Sequence, residues 1–116
     1  MGSLVVLMME EEQPEGLSAR KLVVETEKHN VLTAYSADSG MKMLKRFPNV
    51  DVVLVHHTLL EKRPQLLEQV KGVTGDVPII VATPLRVPVY READYVIDSH
   101  NPGELIKVLK EKIGMR

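Results

Sequence analysis

The chain has 116 residues, a common size for one domain, and residues 1–116 are expected to form a single folded unit. Hydrophobic residues make up 44% but aromatics only 3%, with no Trp and one Phe, so the core must be built from Val, Leu, Ile, Ala and Met. The net charge is −1, and no basic stretch or basic–aromatic interleaving supports a nucleic-acid surface. The absence of Cys excludes disulfides, thiolate metal sites and a cysteine nucleophile, and fits a cytoplasmic location. The apolar run at 4–9 is too short to span a bilayer and lacks the basic start of a signal peptide, so no membrane association is expected.

Apolar runs then alternate with helical patterns. Residues 4–9 (LVVLMM) read as a buried strand. Residues 17–28 read as a helix with Ala19, Leu22, Val23 and Thr26 near one face, and His29 falls in the loop behind it. A short strand follows at 31–35. Ser36 is suited to cap a helix running to Arg46, with Ala37, Met41 and Leu44 facing the core. Residues 50–55 (VDVVLV) are a third strand.

Pro64 is placed to open the next helix, because its missing N–H would be unpaired there in any case, with Leu66, Leu67 and Val70 inward and Gly72 as the stop. Strands are expected at 77–82 (VPIIVA) and 93–97. Between them, 83–95 holds Pro84 and Pro88 and is too short for more than a turn of helix. Asn101-Pro102-Gly103-Glu104 is a helix start, with Asn101 as cap and Glu104 reaching back to it. Leu105, Val108, Leu109 and Ile113 form its apolar stripe, and Lys110, Lys112 and Arg116 suit its negative end. Repeated β–α units with wholly apolar strands imply a parallel sheet covered on both faces.

The order of these signals resembles the receiver domain of response regulators over nearly the whole chain. Val31-Leu32-Thr33-Ala34 and Gly40-Met41 are similar to that family's second strand and helix. Asp51 to His56 is similar to its third strand, Pro78 to Thr83 to its fourth, and Ala93 to Ile97 with Asn101 to Leu105 to its fifth strand and last helix. The resemblance implies a doubly wound, flavodoxin-like sheet of five parallel strands in the order 2-1-3-4-5, with a shortened fourth helix. It also implies chemistry at the strand ends: an acidic pair holding Mg²⁺, an aspartate accepting a phosphoryl group, a Thr or Ser, and a Lys.

Here the match is partial. Glu10, Glu11 and Glu12 follow strand one, and the pocket is assigned to Glu11 and Glu12. His56 stands where the aspartate belongs, Thr83 matches, and Asp98 stands where the lysine belongs. An imidazole cannot form an acyl phosphate, and an aspartate at 98 repels a phosphoryl group. The pocket of Glu11, Glu12, His56, Thr83 and Asp98 therefore reads as vestigial, with no catalytic residue, resident metal or cofactor.

Plainer readings stand beside each residue. The three glutamates make a solvated loop ahead of Pro14. His56 fills the vacated pocket as a hydrogen-bonded side chain, and Asp98 caps the turn before Asn101. If His56 and Asp98 pair, the usual polarity of the site is reversed. His56 and His57 invite a metal, but neighbouring strand residues point to opposite faces. Met8, Met9, Met41 and Met43 read as core filler.

The expected function is a receiver-like signalling or protein-interaction module, not an enzyme, regulated independently of aspartyl phosphorylation and engaging a protein partner. A metal-assisted enzyme and a small-ligand sensor, both using the pocket around His56 and Asp98, are the alternatives.

Overall fold

The computed structural model describes residues 4–11, 24, 25, 27–84 and 90–113. Five strands lie in one parallel sheet: β1 (Val5–Met9), β2 (Asn30–Ala34), β3 (Val52–His56), β4 (Ile79–Thr83) and β5 (Tyr95–Asp98), in the order β2-β1-β3-β4-β5. The helices are α1 (Ala37–Arg46), α2 (His57–Lys62), α3 (Leu66–Thr74) and α4 (Pro102–Val108), the last running into a π turn at Leu109–Ile113.

The apolar strands produce two cores, because alternate side chains leave opposite faces of the sheet. Leu7, Met9, Val53, Val55, Ile79 and Val81 meet Leu44, Leu59, Leu66 and Val70 on one face. Val6, Met8, Val52, Leu54, Ile80, Ala82 and Ile97 meet Val24, Leu105, Leu109 and Ile113 on the other. The order 2-1-3-4-5 expected from the sequence is the one found.

Polar side chains fasten the sheet at the starts of its strands. Asp51 Oδ2 accepts from the Val5 N–H at 2.7 Å, and Asp94 Oδ2 accepts from the Ile79 N–H at 2.8 Å. His29, which carried no signal in the sequence, accepts from the Leu4 N–H through Nδ1 at 3.0 Å.

Several boundaries differ from expectation. Of the expected helix at 17–28, only its end is described. Val24 and Glu25 are helical and Val24 is fully buried, while Ala19, Leu22, Val23 and Thr26, which the sequence pattern places near one face, lie outside the described residues. The helix closes with the Lys28 N–H donating to the Glu25 carbonyl and the His29 N–H to the Val24 carbonyl, while Lys28 takes φ +66°. This pair of bonds with a left-handed residue between them is a Schellman cap.

Pro64 does not open a helix. It lies in the turn between α2 and α3, and the six-residue α2, which was not anticipated from the sequence, begins directly after β3. Gly72 lies inside α3, and the stop is Gly75 at φ +68°, whose N–H donates to the Lys71 carbonyl. The described residues of 84–94 contain no helix; 85–89 lie outside the description.

Ser36 caps α1 as expected, its Oγ accepting from the Ser39 N–H at 3.0 Å. Leu105, Leu109 and Ile113 are all buried. Their four-residue spacing drifts around an ideal α-helix, and the wider π turn takes up that drift.

Candidate functional site

The strand order reverses at β1, between β2 and β3, so the crevice of this sheet lies beyond the carboxyl ends of β1 and β3. Three side chains arrive there from adjoining segments: Glu10 and Glu11 from the end of β1, and His56 from the end of β3.

Glu10 extends the ladder, its N–H donating to the Ala34 carbonyl at 3.0 Å, and it is fully buried. The sequence reading had assigned the pocket to Glu11 and Glu12. Glu10, the residue immediately after the strand, is the buried carboxylate among the described residues; Glu11 is half-buried and Glu12 lies outside the described residues.

Glu11 is bonded to α2. Lys62 Nζ donates to Glu11 Oε2 at 2.5 Å, and Thr58 also hydrogen-bonds the carboxylate. Thr58 and Lys62 are four residues apart on one helix, hence on one face. The Lys62 bond, then the Thr58 bond, hold the Glu11 carboxyl below its usual range against an opposing effect of burial. The pair is exposed, so it orients the groups more than it stabilises the fold.

His56 ends β3 with extended backbone and also serves as the N-cap of α2. Its Nδ1 accepts from the Thr58 N–H at 3.4 Å and lies 2.9 Å from Thr58 Oγ1. The helix begins at once, so His57 is not the next strand residue pointing to the far face. The two imidazoles lie together, with ring centroids 4.5 Å apart and a tilt of 48°. His57 Nε2 stands 3.9 Å from Glu61 Oε1, one turn on.

Thr83 ends β4, is 3% exposed, and sits in register with Asp98 at the end of β5. The Asp98 carboxylate accepts from the His100 N–H at 2.9 Å, and its carbonyl accepts from the Asn101 N–H at 3.0 Å. Asp98 thus caps the turn before α4. Glu104 does reach back, but past Asn101 to the Asp98 N–H, at 2.5 Å. Asn101 Oδ1 caps α4 through the Gly103 N–H at 3.1 Å. In register, His56 lies beside Ala82 and Asp98 beside Thr83, one step further along and on the opposite pleat.

Sequence reasoning missed Thr58 and Lys62 because it missed α2. Two signals were present: the four-residue spacing of Thr58 and Lys62 around Leu59-Leu60, and Pro64, which forces Arg63 out of helical backbone and ends the helix there.

The donor set does not suit Mg²⁺, the cation that receiver chemistry uses. Mg²⁺ prefers several well-placed oxygens. Here Glu11 already holds an ammonium, and the side chain at the end of β3 is an imidazole. Among the described residues, no group of three His, Asp or Glu side chains is arranged to hold a metal ion. No helix among them is long and apolar enough to cross a membrane.

No family model and no curated protein sequence matches the chain. Solved structures do. A response regulator receiver domain from Clostridium thermocellum superposes with a TM-score of 0.81 at 19% identity, over 97% of this chain and 95% of that one. The receiver domain of a sensor histidine kinase from Pseudomonas aeruginosa PAO1, solved with a magnesium ion in its active-site cleft, gives 0.79 at 16% identity over 97% and 99%. CheY6 of R. sphaeroides, solved in complex with the phosphorylated P1 domain of CheA3, gives 0.71 at 18% identity over 96% and 97%. With the strand order 2-1-3-4-5 and helices on both faces, the chain has the fold of the CheY-like response regulator receiver domains.

Proposed function

We propose that the chain is a receiver-like signalling module that binds a protein partner and works without aspartyl phosphorylation. The observation carrying this reading is the side chain that ends β3. It is His56, whose imidazole is committed to capping α2 through Thr58. Two further features support it. Asp98 puts a negative charge in the place of a lysine and spends it on the turn before α4. Lys62, from the end of α2, already neutralises Glu11. The CheY6 complex makes a signalling protein the natural class of partner. A metal-assisted activity has less support, since the crevice gathers two carboxylates from β1 but one of them is tied to Lys62.

Acetyl phosphate with Mg²⁺ should leave the intact mass unchanged, and beryllofluoride should leave the amide spectrum unchanged. A stoichiometric phosphoryl adduct would overturn the reading.

A further inference from the structure

Two cavities meet at the ion pair between Arg63 and Asp38. The larger, about 550 Å³, runs between α1 and α3 and is lined by Asp38, Met41, Lys42, Lys45, Arg63 and Val73, with Gln69. The smaller, about 200 Å³, opens beside Glu11 and Lys62 and shares Asp38 and Arg63 with the first. Met41 and Val73 are half-buried and pack on the core below, which gives the larger groove an apolar floor.

The rim is cationic. Lys42 and Lys45 are exposed, one turn apart on α1, and neither is within ion-pair distance of a carboxylate among the described residues. Arg63 joins them from the end of α2, against the single carboxylate of Asp38. The lining therefore carries a surplus of two positive charges on a chain whose net charge is −1. Asp38 is well exposed, at 76%, and can be displaced from Arg63 by an incoming carboxylate.

We infer that the groove between α1 and α3 docks an acidic segment of a partner protein, one apolar side chain resting on Met41 and Val73 and flanking carboxylates meeting Lys42, Lys45 and Arg63. This rests on the reading of the chain as an interaction module and names its surface and the partner's chemistry. Nucleic acid is the poorer fit. The lining of the larger cavity has no aromatic side chain to stack a base, and its Asp38 carboxylate repels phosphates. An anionic membrane is also a poorer fit, because the apolar floor is recessed between two helices and offers nothing to insert.

The test is an amide-shift titration of the full chain at low salt with a short acetylated peptide of glutamates carrying a leucine at every fourth position. The same peptide with lysine for glutamate, a short single-stranded DNA and phosphatidylserine vesicles are run alongside. Saturable shifts should appear at 41–45 and 69–73 and weaken with salt. The double variant Lys42→Ala/Lys45→Ala should bind roughly tenfold more weakly, with the rest of its spectrum at wild-type positions. The reversed variant Lys42→Glu/Lys45→Glu should take the lysine peptide instead.

The proposal falls if the acidic peptide gives no saturable shift, if the double variant binds it as well as wild type, or if DNA or vesicles bind more tightly. Peptide shifts on another surface remove the groove and leave the functional reading standing. A phosphoryl adduct with acetyl phosphate removes that reading and leaves groove binding intact.

Discussion

Gly40, the fourth residue of α1, lies directly over Met9 of the sheet, and replacing it with alanine sets two effects of similar size against each other. A Cβ built there would lie 2.6 Å from Met9 Sδ, 2.8 Å from its Cγ and 2.9 Å from its Cε. In the interior of an exposed helix the change would stabilise by about 1 kcal/mol, since alanine loses less backbone freedom. Here Gly40 is buried and Met9 is fully buried in the sheet below it. Met9 must therefore move into an already packed core, and such overpacking costs about 1–3 kcal/mol. Overpacking is expected to win, leaving Gly40→Ala less stable by about 1 kcal/mol and lowering the urea midpoint by roughly 0.5–1 M.

The background variant Met9→Ala isolates the cause. Alone it should cost about 2–5 kcal/mol by emptying the site. In that background Gly40→Ala should change sign and stabilise, giving a coupling of about 2 kcal/mol between the two positions. Urea titrations of the four proteins, followed by circular dichroism, measure it. If Gly40→Ala has the same effect in both backgrounds, contact with Met9 is not what selects glycine.

Lys28→Gly should raise stability by about 0.5–1 kcal/mol, because φ +66° strains a lysine and suits glycine; an unchanged thermal midpoint would contradict this. Asp94→Ala should cost about 1 kcal/mol by orphaning the Ile79 N–H and the Lys71 ammonium, and Asp94→Asn should recover part of it. The Glu11 carboxyl should titrate below its ordinary 4.5, and Lys62→Ala should move it back up, as read by carboxyl-carbon NMR. Because the folded value is the lower one, the Glu11–Lys62 contribution is present above the unfolded value and fades as pH falls through the folded one. A Glu11 titration that ignores Lys62→Ala would show that the bond does not form in solution.

The sequence by itself determined the sheet. Largely apolar runs separated by helical patterns leave little choice but parallel strands covered on both faces, and strand order follows from that alternation together with the family resemblance. Caps at Ser36 and Asn101 were equally legible, because each depends on a side chain and a backbone N–H two or three residues away. It also led, through the family resemblance, to the expectation that His56 and Asp98 stand where an aspartate and a lysine belong. What it could not show was the use of these side chains, which depends on neighbours distant in the chain. Helix α2 is six residues long, below the length at which periodicity is a signal, and its Thr58 and Lys62 gain meaning only when β1 brings Glu11 beside them, 51 residues from Lys62. The stop of α3 at Gly75 rather than Gly72 was decided by where the backbone turns left-handed, and the seating of Gly40 on Met9 by packing between helix and sheet.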